Sequence, residues 1–270
     1  MKTLLMTIGA IVLAVTAMAQ QPPPRPPRVV TDAQVLAALK DSNLSTEDMI
    51  NIVGPAAALP PHTLQPATLA AITQKIRQLN RESAVRGEAI YKGLIPPPEG
   101  GESNFENLVS LVTVLISQAD VAGLDGIAEC VDMGNTPFWA LVGHGEEAVP
   151  ALVRRASNGD VDHDAGKVLK SMDALEQMLE SPTIRKKLSP RSHAAIKQLA
   201  ADRMKTLRGD KNWRLFAGAA YLAVATRDPQ LRKQVEEMNN NYKAFSQQGM
   251  GYEAQQKASE LIQQALDKFM

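Results

Sequence analysis

From Thr31 onward the apolar residues return at intervals of three and four, the period of one face of an α-helix. Leu69, Ile72, Ile76 and Leu79 form one such stripe, and Val168, Met172, Leu175 and Leu179 form another. Ile196, Leu199, Ala200 and Leu207 make a third; Ala254, Ala258, Leu261, Ile262, Ala265, Leu266 and Phe269 make the last. No segment sustains the apolar–polar alternation of a half-buried strand. One run, Leu108 to Ile116, is apolar on every side and rich in Val, and suits either a buried helix or a strand. Helix is the choice, because Ser103 and Glu106 offer a capping box and no second strand signal exists to pair with it.

Helix starts are marked by a polar residue followed by proline: Thr136-Pro137, Ser181-Pro182, Ser189-Pro190 and Asp228-Pro229. Proline is tolerated in the first turn, where its missing amide would have had no partner, and the side-chain oxygen before it accepts a later free amide. Thr31 with Gln34 and Ser45 with Asp48 add two caps. The predicted helices run near 32–40, 46–53, 66–80, 82–94, 104–117, 123–132, 136–142, 146–157, 164–180, 190–208, 211–226, 228–245 and 251–269. Short connections make sequence neighbours pack antiparallel. Breaks fall at Gly54 to Pro61 and at Pro96 to Gly101, the second being the firmer boundary. That divides the chain into an N-terminal helical subdomain, 31–98, and a repeat-like domain, 99–270.

Two segments precede this helical part. Lys2 is followed by Leu4 to Ala19, an uncharged apolar stretch ending in Ala17-Met18-Ala19, the small-x-small pattern of a signal-peptidase site. The run is short for a membrane-spanning helix, which needs about 20 residues. Residues 1–19 are therefore expected to be a secretory signal peptide, and the protein periplasmic or extracellular, with no stable membrane span after cleavage. Residues 20–30 form a proline-rich arm whose Gln20 to Arg28 part reads QQPPPRPPR; its five prolines fix an extended backbone and remove amide donors, favouring a solvated polyproline II arm. It serves as a spacer, or as a ligand for an aromatic groove on a partner.

Composition narrows the function classes. The 270 residues carry 29 Lys+Arg against 29 Asp+Glu, so no excess positive charge is present to displace counterions from nucleic acid or an anionic membrane. A single Cys excludes a disulfide framework and any thiolate-rich metal cluster. No G-x-S-x-G, S-x-x-K, H-E-x-x-H, phosphate loop or G-x-G-x-x-G occurs. The four histidines, His62, His144, His163 and His193, have no histidine neighbour at ligand spacing.

Two places hold candidate chemistry. Asp160, Asp162 and Asp164 alternate in a way that could converge oxygens on Ca²⁺, but Ala165 stands where an EF-hand loop needs Gly and Ser171 where it needs its bidentate Glu. The plainer reading is a polar turn, and no cofactor is expected beyond that calcium candidate. Gly123 to Gly145 is the most glycine-dense region and contains Cys130, Trp139 and His144, the candidate lining of a pocket; Cys130 with His144 are nucleophile and base candidates.

A longer-range pattern links two segments. Val85-Arg86-x-x-Ala89 with Leu94 matches Trp213-Arg214-x-x-Ala217 with Leu222, and the spacing between the two arginines is three units of the length expected of helix-pair repeats. Gly145 to Val153 resembles the first helix of a HEAT repeat, and Asn212 to Leu222 followed by Arg227-Asp228-Pro229 resembles a second helix with its turn. The chain thus resembles HEAT-repeat proteins mainly over 145–245 and weakly over 66–94. The resemblance implies a short, irregular, right-handed α-solenoid of stacked antiparallel pairs that binds protein partners; a multi-helix globule is the other all-α arrangement compatible with the pattern. Two functions of different class are expected: an exported, non-enzymatic scaffold or protein-interaction module, and, as the alternative, an enzyme or small-ligand binder with a pocket at 123–145.

Overall fold

The structure, a computed structural model, describes residues 30–96, 104–158, 164–206, 213–240 and 252–269. The expected leader, the arm up to residue 29, Ser103, Asp160, Asp162, His163 and Leu207 lie outside the described residues. Every regular element within them is helical, which makes the chain an all-α protein.

The N-terminal caps act as their chemistry requires. Helix α1 (Asp32–Lys40) starts after Thr31, whose capping box with Gln34 is complete. Helix α2 (Thr46–Val53) starts after Ser45, whose hydroxyl accepts the Asp48 amide at 3.0 Å. Helix α3 (Pro66–Tyr91) is one helix of 26 residues where two were expected. The apolar stripe does stop at Leu79, but this marks the end of burial and not of the hydrogen-bond ladder, since neither Gly nor Pro interrupts the chain there. Beyond it, Arg81 to Glu88 are exposed on all sides. The helix stops in a Schellman turn at Gly93 (φ 69°), where the Leu94 amide donates to the Ala89 carbonyl and the Gly93 amide to that of Ile90, both at 2.9 Å.

The apolar run resolves as helix α4 (Phe105–Gln118), burying Leu108, Leu111, Val112, Val114 and Leu115. At its end the buried Gln118 carboxamide oxygen accepts the Thr63 and Leu64 amides, each at 2.9 Å, and pins the loop before α3. The expected helix 123–132 shortens to α5 (Leu124–Ala128), with turns up to Met133. Helix α6 (Asn135–His144) begins ahead of the Thr136-Pro137 doublet, after Gly134. Then follow α7 (Val149–Asn158), α8 (Ala165–Glu180), a four-residue helix α9 (Pro182–Arg185) that starts at the Ser181-Pro182 doublet, and α10 (Pro190–Thr206). Helices α11 (Trp213–Ala225), α12 (Pro229–Asn240) and α13 (Tyr252–Lys268) complete the order. Ser189 and Asp228 cap α10 and α12 by accepting the Ser192 amide and the Gln230 and Leu231 amides.

Consecutive helices pair, and the pairs pack in order. First helices meet first helices, as α1 on α3, α3 on α5, α5 on α7 and α7 on α10. Second helices meet second helices, as α2 on α4, α4 on α6, α6 on α8, α8 on α11 and α11 on α13. Helix α12 leans on α11 and α13. One cluster of buried apolar residues runs from Val30 to Leu266, and α3 packs on both α4 and α5 across the boundary expected near residue 98.

Charged groups tie neighbouring pairs together. Arg77 on α3 meets Glu129 at 3.0 Å, Arg155 on α7 meets Glu129 at 3.4 Å and Asp164 at 2.8 Å, and Arg154 meets Asp125 at 2.5 Å. Two arginines also bind the open ends of other helices. Arg203 on α10 donates to the Ala156 and Ser157 carbonyls at the end of α7, each at 2.7 Å. Arg232 on α12 donates to the Leu266 and Phe269 carbonyls at the end of α13, each at 3.1 Å. Carbonyls in the last turn have no partner inside their own helix, and a guanidinium satisfies two at once.

Gly126, on α5, marks the tightest of these contacts: a Cβ there would lie 2.4 Å from Leu115 Cδ1 and 2.6 Å from Thr73 Oγ1, with the Thr73 backbone at 3.3 Å. Gly126→Ala is expected to lower unfolding free energy by about 1–3 kcal/mol, whereas Gly87→Ala, with nothing within 4 Å, should leave it unchanged or slightly raised. Urea titration followed by circular dichroism checks both; an unperturbed Gly126→Ala protein would contradict the close approach of α3, α4 and α5.

Candidate functional site

Second helices build an aromatic-lined concavity among the described residues. Helices α6, α8, α11 and α13 together form a groove of about 560 Å³. One wall carries Phe138 and Trp139 of α6, the other Trp213 and Tyr221 of α11, and α8 supplies the floor with Asp173 and Glu176. The chain has two tryptophans in 270 residues, and both face this groove.

Local sequence explains how the walls stay open. Phe138 and Trp139 are adjacent on α6, so they leave the helix about 100° apart; their rings meet edge to face at 5.1 Å, which leaves Trp139 55% exposed over the groove. Opposite them, Trp213 is the first residue of α11, and Arg214 lies over its ring at 5.3 Å. Gly218 lets α11 sit close to α8: a Cβ there would lie 2.7 Å from Leu169 Cδ1. Tyr221 packs edge to face on Phe269 at 6.0 Å.

The charges of the groove are arranged along α8. Lys170 pairs with Asp173 at 3.0 Å and lies 5.8 Å from the Phe138 ring. Lys268 of α13 donates to Glu180 and lies over the rings of Tyr221 and Phe269, at 5.5 and 5.6 Å. Glu176, between the two pairs, has no ion pair with a described lysine or arginine. Burial, reinforced by the hydrogen bond and charge of Glu180, holds its carboxyl well above the usual carboxylate range. Burial likewise raises Asp173, opposed by Lys170. Glu176 therefore keeps its proton at neutral pH, and the charge along α8 lies on the Lys170–Asp173 and Lys268–Glu180 pairs.

Of the three pocket candidates from the sequence, the groove takes only Trp139. Cys130 is fully buried in the turns after α5, and burial pushes its thiol up to about 12, which keeps it protonated and unreactive at neutral pH. His144 ends α6 and contacts Glu147 at 3.4 Å. The glycine-dense stretch thus serves close packing at Gly126 and does not open a pocket around Cys130. Of the calcium candidates, Asp164 is engaged by Arg155 and lies 4.0 Å from Lys167, while Asp160 and Asp162 lie outside the described residues. Among the described residues no cluster of three His, Cys, Asp or Glu could hold a metal ion, and no helix is long and apolar enough to cross a membrane.

Nothing in the sequence pattern marks Trp213, Tyr221 or Glu176 as site residues. In the sequence Trp213 stands out only as the apolar member of a repeat motif. The two copies of that motif serve unlike ends: Ala217 and Leu222 are buried in α11, whereas Ala89 and Leu94 belong to the Schellman stop of α3 and Leu94 is 72% exposed. No protein-family model, curated protein or solved structure matches the chain.

Cys130 is expected to resist a thiol reagent in the native protein and to react once urea unfolds it; rapid native labelling would contradict its burial. Glu176 binds its proton more tightly in the folded than in the unfolded chain. It therefore favours folding at low pH, and its contribution is lost as pH rises from about 4.3 to about 9. Replacing it by Gln should shrink the fall in stability between pH 5 and pH 8 by an amount on the order of 1 kcal/mol, measured by urea unfolding against the wild type; an unchanged difference would refute the assignment.

Proposed function

We propose that this chain is an exported, non-catalytic helical scaffold that holds a segment of another protein in the groove formed by its second helices. The observation that carries this reading is the convergence of both tryptophans, with Phe138 and Tyr221, on one open groove in a chain otherwise poor in aromatics. Exposed aromatic side chains supply rigid apolar area at low entropic cost and dominate protein recognition sites. Ordered packing of first helices on first and second on second supports a HEAT-like solenoid, in which each pair adds a strip to a continuous face. The groove crosses four successive second helices and so belongs to that face. Its lysines are matched to acids, Lys170 to Asp173 and Lys268 to Glu180, a pattern suited to orienting a bound chain. Leu4 to Ala19 with its Ala-x-Ala ending supports secretory export to the periplasm or beyond.

A photo-crosslinking residue placed at position 139 in the producing cell is expected to yield a discrete protein adduct. The same residue at Glu47, exposed on α2, should not. Absence of any adduct at 139 would overturn the reading.

A further inference from the structure

A proline-rich segment suits an aromatic groove because its backbone is held extended before binding, and its rings lie flat between aromatic faces. This chain has such a segment of its own in Pro22 to Arg28, PPPRPPR. At three residues per turn, Arg25 and Arg28 fall on one edge of a polyproline II helix, Pro23 and Pro26 on the second, and Pro24 and Pro27 on the third. Two edges are thus all proline and one is cationic. The groove has two aromatic walls, and its charged lining is Asp173 and Glu176 with Lys170 on α8 and Arg214 at the rim of α11. Asp173 and Glu176 lie one turn apart on the α8 floor, on the side that an arginine-bearing edge would face. Glu176 holds a proton in the free groove and releases it to pair with an incoming guanidinium. The other sizeable cavity near the start of the described chain, between α1 and α2, is lined by Val30, Ala37, Leu44, Ile52 and polar neighbours and offers no aromatic face.

Reach decides whose arm binds. The arm leaves from Val30, packed in the first pair, while the groove is centred on α8 and α11 in the fourth and fifth pairs of the stack. Three to four steps of about 9 Å separate them, and the arm must also pass from the first-helix layer to the second-helix face. Residues 22–29 span only about 25 Å when fully extended as polyproline II.

We infer that the groove between α6, α8 and α11 binds the arginine-bearing polyproline segment Pro22–Arg28 of a second copy of this chain, prolines against Trp139 and Trp213 and arginines toward Asp173 and Glu176 of α8. The proposal rests on the groove being a recognition site for a protein segment, as argued above. Reciprocal exchange of arms yields a two-fold dimer; unidirectional exchange yields an open chain of copies.

Two measurements test it. In the first, tryptophan emission of the chain from Val30 to Met270 is titrated with the synthetic peptide QQPPPRPPRVV. A saturating shift is expected. It should weaken at least tenfold when the peptide's five prolines become alanine, when its two arginines become glutamate, or when the protein carries Trp139→Ala. That side chain is mostly exposed, so an unchanged circular dichroism spectrum is expected, and Trp213 still reports binding. In the second, sedimentation of the chain from Gln20 should show mass rising with concentration, and the chain from Val30 should remain monomeric. No shift at millimolar peptide, or equal binding of the alanine peptide, overturns the proposal. Binding untouched by Trp139→Ala places the segment elsewhere, in the α1–α2 cavity for example, and overturns it too. A chain from Gln20 that stays monomeric while excluding the peptide has its own arm in the groove, which overturns the second copy as occupant. A crosslinked adduct at position 139 with a different protein, alongside no peptide binding, sinks this proposal and leaves the recognition reading standing; no adduct of any kind sinks both.

Discussion

Close approach at α11 is the constraint on which the rest of the structure depends. This helix touches α8, α10, α12 and α13, so nearly its whole circumference is buried, and only small side chains allow four neighbours so near. Ala217, Ala219, Ala220, Ala223 and Ala225 provide that surface, with Gly218 at the contact with Leu169. Phe216, Leu222 and Val224 fill what remains. A large residue at an alanine position would move α8 or α13 outward, and the groove walls with it. The same packing that closes the core beneath α11 thus sets the distance between the aromatic walls above it.

Around this centre the polar interactions act at the edges. Glu129 takes one arginine from α3 and one from α7, and Arg203 and Arg232 each fasten the end of another helix. Exposed single ion pairs contribute little, but Glu129 and Arg155 are largely shielded and share several partners, where loss of one member leaves others uncompensated. Arg203 is buried as well, and burial lowers its proton affinity, a cost offset by two carbonyls that would otherwise lack donors.

What the sequence revealed divides by range. Stripes such as Leu69 to Leu79 and caps such as Thr31 with Gln34 are local, and the folded chain uses them as the periodicity implies. The length of α3 exceeds what its stripe implies because hydrophobic period reports burial, and its outer half is helical without being buried. The groove lay beyond reach for another reason: Trp139 and Trp213 are 74 residues apart, and the register of α6 against α11 is fixed by the pairs between them. Their scarcity was the one signal available, since each sits on the second helix of its pair. Cys130 and His144 drew attention by residue type, a cue that burial overrides.

The uneven burial of α3 also bears on how the molecule breathes. Its first half, from Thr68 to Leu79, is clamped into the core, whereas from Arg81 to Glu88 every residue of the same helix is exposed. Short helices lacking such support are marginal, so the outer turns open by fraying from Gly93 inward and close again without disturbing the array. Amide exchange along this one helix will therefore grade from slow at Leu69 to fast at Ala89. A protease that needs an extended strand of substrate will find one there long before the remaining helices yield.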